Sequence, residues 1–306
     1  MMSAGRYSIR AVAALACLAL LGVTGQMARG FRAERDEIAL QPGVVPTPAD
    51  LSARGVESWA VPTNVGIVHG WFVPPRGGAT IVMAHGTQAD RSSLLYEIRA
   101  LIAGGHGIVA IDFPGLGESS GAVQMTAGRA TAMRAIFDSV AHRRDVDATR
   151  LGLYGFSFGA STVIQFAADE PRVRAVIAAG APLDYADHVR YSYAHHNRLF
   201  SEGALLVYRI HGVDLVAMNL TDAAHRIAPR PVLLVNGDKD LDVSPADGAR
   251  LAALIGPSAT RWLIAGAGHG DYRSVDAQYG VRLAQFFSDN LPASPGAEIT
   301  PTPTLH

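Results

Sequence analysis

Two residue types are almost missing from this 306-residue sequence: it has one lysine, Lys239, and one cysteine, Cys17. P-loops and kinase-type nucleotide sites need a lysine in a setting that Lys239 lacks, so both are excluded. A lone cysteine excludes disulfides within the chain and cysteine-ligated zinc or iron–sulfur clusters, and it argues against a thiol nucleophile. Charge is scarce as well. Charged residues make up 17%, and 26 basic against 27 acidic side chains leave a net charge of −1. No positive field exists to hold a nucleic-acid backbone, so nucleic acid is not an expected partner. What the chain has instead is apolar mass: 49% hydrophobic residues and a mean hydropathy of +0.17. That excludes disorder over most of its length, and the length suits one large α/β domain or two small ones.

The amino-terminal segment reads as separate from the fold. Arg6 and Arg10 precede an uncharged run from Ala11 to Val23, and the generous limits Ile9–Ala28 approach the ~20 residues of a spanning helix. Residues 1–30 are expected to be a membrane anchor, or an export signal cleaved near Gly25 or Ala28, with the body outside the cytoplasm. Residues 31–50 read as a polar, Pro-containing linker and the Pro-rich 292–306 as a disordered tail.

Between them the pattern is regular. Val56–Val61 and Ile67–Val73 read as an antiparallel strand pair. Ala79–Ala84, Ile108–Ile111, Leu151–Tyr154, Ala175–Ala178 and Val232–Val235 are continuous apolar runs, as expected of strands buried on both faces. Helical segments alternate with them, at Ser92–Ala103, Thr126–His142, Phe158–Asp169, Pro245–Leu254 and Val275–Leu291. This alternation predicts an α/β fold with a mostly parallel sheet, helices on both faces, and ligands bound beyond the carboxyl ends of the strands.

At one such end stands Gly155-Phe156-Ser157-Phe158-Gly159, a G-x-S-x-G between strand and helix. The turn is so sharp that Ser157 must adopt a strained conformation, which lifts its hydroxyl clear of the sheet. The Phe158 amide then points at any developing oxyanion. A serine needs a base held by a third group. His269 follows the strand Trp262–Ile264, and Val232–Val235 ends at three acids, Asp238, Asp240 and Asp242. Asp184, beyond Ala175–Ala178, is a further candidate acid. His188, His195, His196, His211 and His225 have no metal-ligand spacing, so no metal is expected.

The stretch from Val56 to Leu291 resembles the α/β-hydrolase superfamily. Ala84-His85-Gly86-Thr87 is similar to its oxyanion segment, Asp112-Phe113-Pro114-Gly115-Leu116-Gly117-Glu118-Ser119 to its D-x-x-G-x-G-x-S loop, and Gly237, Asp240 and Val243 to its G-x-x-D-x-x-V acid motif. The resemblance implies a Ser157–His269–Asp240 triad, an oxyanion hole from the amides of Thr87 and Phe158, no cofactor, and a small acyl ester or thioester as substrate, with a carboxylesterase-, thioesterase- or lipase-like activity. It places a cap at 184–228, whose tyrosines and leucines would cover Ser157. His85 is expected to pack below the oxyanion loop, and Asp238 and Asp242 to be solvated loop acids. Acyl transfer or peptide hydrolysis on the same triad, and a non-catalytic binding domain on the same fold, remain open on these residues.

Overall fold

The computed structural model describes residues 4–35, 39, 41–123, 125 and 127–293, with the side chains of 4–15 and 127 excepted. Eight strands form one sheet: β1 (Glu57–Thr63), β2 (Gly66–Val73), β3 (Thr80–Ala84), β4 (Gly107–Ile111), β5 (Leu151–Phe156), β6 (Val173–Ala179), β7 (Val232–Gly237) and β8 (Ala259–Ile264). Their order across the sheet is β8-β7-β6-β5-β3-β4-β2-β1. Pairing is antiparallel at β1/β2 and β2/β4 and parallel elsewhere. Every residue of β3, β4 and β7 is buried. This is the reason their sequences run apolar without alternation.

Helix α1 is Ala4–Arg35, and α2 (Leu95–Ala103), α3 (Ala127–Ala141), α4 (Phe158–Asp169), α5 (Tyr185–Ser192), α6 (Arg198–Ile210), α7 (Thr221–Ile227), α8 (Pro245–Ile255) and α9 (Tyr279–Asn290) follow. Met133, Phe137, Ile164, Ile227 and Leu251 from α3, α4, α7 and α8 build the core on one face of the sheet. Ile98, Leu101, Leu283 and Phe287 from α2 and α9 build the other. The expected helix at 275–291 is shorter, because the Asp276 side chain accepts from the Gln278 amide and turns the chain before α9 begins.

Part of the stretch expected as cap belongs to the body. Leu220, Ala223, Ala224 and Ile227, in and next to α7, lie in the main core. Within the stretch expected as cap, α5 and α6 stand over the strand ends, where Tyr185, Val189, Leu205 and Tyr208 pack with Phe158.

The amino-terminal segment departs most from expectation. Among the described residues no helix is long and apolar enough to cross a membrane, so the membrane-held arrangement is corrected. In the part of α1 with described side chains, Thr24, Gln26 and Arg29 break the apolar run. Beyond it the helix packs on α6 backbone to backbone. A Cβ on Gly30 would lie 1.8 Å from the Phe200 carbonyl oxygen, and one on Gly203 would lie 2.0 Å from that of Met27. The boundary expected at residue 30 falls inside this helix.

Part of the expected linker is likewise built in. Gln41–Pro42 pairs in parallel with Leu116–Gly117, and the Val45 amide donates to Glu118 at 3.2 Å. The tail from 294 onward lies outside the described residues.

Candidate active site

Ser157 sits between β5 and α4 with φ 54° and ψ −120°, a region that costs a non-glycine residue about 1–3 kcal/mol. Its neighbours show why two glycines flank it. A Cβ at position 155 would lie 2.4 Å from the Gly159 carbonyl oxygen, and one at 159 would lie 2.2 Å from that of Ala84. The Ser157 amide donates to the Ala179 carbonyl at 2.7 Å, which fixes the elbow to β6. The Thr87 and Phe158 amides donate to no backbone carbonyl among the described residues. Phe158 follows Ser157 directly in the chain, and Thr87 lines the same cavity as Ser157.

Beneath Phe158 lies Arg129, 2% exposed, with its guanidinium 3.9 Å from the Phe158 ring centre and 4.1 Å from that of Phe113. Burial lowers its pKa to about 9. The sandwich fixes the ring next to the elbow.

His85 is fully buried. Its Nδ1–H donates to the Gly86 carbonyl at 2.7 Å and its Nε2 accepts from the Phe113 amide at 3.0 Å. Burial, helped by the charge of Arg129, lowers its pKa to about 3, so it stays neutral and shapes the loop that carries Thr87. Asp112 organises the next loop: it accepts from the Arg91 and Glu118 amides at 2.7 and 2.9 Å and forms an ion pair with Arg91, which also pairs with Glu118. A Cβ at Gly117, where φ is +53°, would collide with that carboxylate.

His269 and Asp240 meet as the sequence predicts. His269 Nδ1–H donates to Asp240 Oδ2 at 2.8 Å, and Asp240 Oδ1 accepts from the Asp242 and Val243 amides at 2.9 and 2.8 Å. The Asp240 side chain is 1% exposed. Asp184 is elsewhere occupied, since it caps α5 through the Asp187 amide and accepts from Asn219. His269 packs on Phe156 at 4.9 Å between ring centres. Ser157 and His269 line one cavity of about 700 Å³, together with Thr87, Tyr185 and Tyr193.

Three residues at this cavity were not expected there. Asp242, read as a solvated loop acid, has Oδ2 3.7 Å from His269 Nε2, so this edge of the imidazole faces a carboxylate. Burial lowers the His269 pKa, but the Asp240 hydrogen bond and the charges of Asp240, Asp242 and Asp271 outweigh it, and the net shift is upward. His188 of α5 is the second: its Nδ1 meets the Asp242 carbonyl at 3.1 Å, and burial lowers its pKa. The third is Glu34 of α1, 4% exposed, which accepts from Tyr193 at 2.9 Å and from Tyr208. A motif centred on Asp240 says nothing of Asp242's direction, and no sequence signal ties Glu34 to α5 and α6.

Several known proteins are similar to this chain. The uncharacterized protein YfhR of Salmonella typhimurium is 27% identical over 264 residues, which cover 80% of this chain and 82% of that one. The uncharacterized protein Rv2307c of Mycobacterium tuberculosis is 25% identical over 242 residues, 77% of this chain and 80% of its own. Among solved structures, the Pyrococcus furiosus esterase PF2001 superposes with a TM-score of 0.69 at 20% identity, over 83% of this chain and 98% of that one. A 2,6-dihydroxy-pseudo-oxynicotine hydrolase superposes with a TM-score of 0.65 at 17% identity, over 83% of this chain and 72% of its own. These two show the shared fold. The model of the X-Pro dipeptidyl-peptidase (S15) family matches residues 51–237, from before β1 through the elbow to the end of β7, and stops short of Asp240 and His269. A match over more than half the chain, with the serine elbow inside it, means that the chain belongs to the S15 family of the α/β-hydrolase superfamily.

Proposed function

We propose that this serine hydrolase cleaves carboxylic esters or thioesters through an acyl-enzyme on Ser157. Ser157 Oγ attacks the carbonyl carbon while His269 Nε2 takes its proton, and Asp240 holds Nδ1–H and stabilises the imidazolium. The amides of Thr87 and Phe158 receive the oxyanion. His269 then gives the proton to the departing oxygen or sulfur. Water repeats the sequence on the acyl-enzyme, regenerates Ser157 and releases the acid. The observation that carries this reading is the 2.8 Å His269–Asp240 bond beside the cavity that a positive-φ serine lines. No cofactor enters any step.

An alkoxide or thiolate leaves more readily than an amine, which favours the ester; the S15 match supports peptide hydrolysis on the same machinery as the second reading. A fluorophosphonate should label Ser157, read by peptide mass. A panel of p-nitrophenyl esters of graded length, with a thioester and an X-Pro anilide as controls, should then show ester cleavage leading by on the order of 100-fold in kcat/KM. Faster anilide cleavage would establish the peptidase, and an unlabelled serine would remove both readings.

The carboxylate at Nε2 carries its own expectation. A base must be neutral to act, so the raised His269 pKa moves the acid limb of kcat/KM above the ordinary histidine value. Asp242→Asn removes one of the charges that hold the proton on, so the limb should shift to lower pH. A limb that stays in place or moves upward would show that Asp242 does not set it.

A further inference from the structure

The cavity over Ser157 has an uneven electrostatic lining. Three carboxyl groups line it, Glu34, Glu97 and Asp242, and no arginine or lysine does so among the described residues. Glu34 differs from the other two in origin, because it comes from α1, amino-terminal to the segment that matches the S15 family. It is also held in place: Tyr193 Oη and Tyr208 Oη both donate to it, and the Gly30 and Gly203 contacts lock its helix on α6. Burial raises its pKa above the ordinary carboxylate range, but the two hydroxyl hydrogen bonds favour the ionised form, and at alkaline pH the carboxylate is a fixed negative wall.

We propose that the last turns of α1 form part of the roof of the substrate cavity and that Glu34 is a specificity-determining residue there, selecting uncharged acyl chains against those that end in a carboxylate. This rests on the ester-hydrolase reading of Ser157 and deepens it. An acyl chain attached at Ser157 extends into a space bounded by the cap tyrosines and Glu34, and a terminal carboxylate there meets like charge with no cation to offset it. At ~6 Å and an effective dielectric near 20, such a pair is disfavoured by enough to lower kcat/KM on the order of 100-fold.

The test compares two substrates on one enzyme, so the amount of folded protein cancels. At pH 8, the p-nitrophenyl ester of hexanoic acid should exceed the mono-p-nitrophenyl ester of adipic acid by on the order of 100-fold in kcat/KM. Glu34→Gln keeps an oxygen and an amide for the two tyrosines while removing the charge, and should remove most of that ratio, with Glu97 and Asp242 leaving the remainder. Gly203→Val, which pushes α1 off α6, should narrow it too by carrying Glu34 away. A merely structural role would scale both esters alike. Equal rates on the two esters in the parent enzyme, or a ratio unmoved by Glu34→Gln, would overturn the proposal. Failure to hydrolyse either ester, or hydrolysis that persists in Ser157→Ala, would instead overturn the ester-hydrolase reading beneath it.

Discussion

Ser157→Ala should reduce turnover of any substrate by ~10⁴-fold or more while leaving the fold intact. On the proposed mechanism the reaction loses the atom that forms the acyl-enzyme, while the amides of Thr87 and Phe158 and the cavity remain. The residual rate should therefore match general electrostatic catalysis and show no burst. Alanine still occupies φ 54°, so this variant keeps the backbone strain. Ser157→Gly separates the two effects. It should be equally inactive but more stable by about 1 kcal/mol, since glycine adopts that conformation without penalty. Steady-state kinetics with thermal unfolding of both variants checks the pair. Turnover surviving in either would mean that another group attacks the carbonyl.

Asp240→Asn is the second large effect, on the order of 10⁴-fold in kcat. Three N–H groups converge on this carboxylate, from His269 Nδ1, Asp242 and Val243. Asparagine has one accepting oxygen and one donating nitrogen. If the oxygen serves the two backbone amides, the side-chain NH₂ faces Nδ1, and the imidazole must carry its proton on Nε2, where it can no longer take one from Ser157. If the side chain flips, the NH₂ meets two backbone donors that lose their acceptor in a buried place. Asp184→Asn should cost little in rate or stability, because asparagine is as good a cap for α5 as aspartate. The reverse order of the two losses, with both variants folded, would move the acid to Asp184.

The centre of the sheet was legible in the sequence because its strands are buried on both faces, so that each announces itself as an uninterrupted apolar run. Ser157 and Asp240 were legible for a related reason: each stands just past such a strand, and Gly155, Gly159 and Gly237 are demanded by backbone contacts under 3 Å, while His269 was legible from its place between two glycines after β8. Glu34 was hidden because hydropathy describes a helix without its partner. An apolar run behind two arginines reads the same whether it meets lipid or a cap helix, and the glycines at 30 and 203 reveal their purpose only when brought together. Asp242 was hidden because spacing to Gly237 and Val243 picks out the middle acid and carries no information on where its neighbour points. The assignment of α7 to the body was missed for want of a boundary signal, since its alanines suit a cap and a core equally.

The docking of α1 on α6 also sets an order of events at the ribosome. Gly30 is synthesised about 170 positions before Gly203, a wait of roughly 10–35 s at bacterial and eukaryotic elongation rates. During that interval α1 has no α6 to lie against, and its apolar face is open to chaperones and to other nascent chains. The contact is long in sequence and late in time, so its formation marks the end of cap assembly rather than its beginning. A chain arrested before residue 198 would display α1 undocked, and protease sensitivity in that helix should vanish only once α6 has emerged.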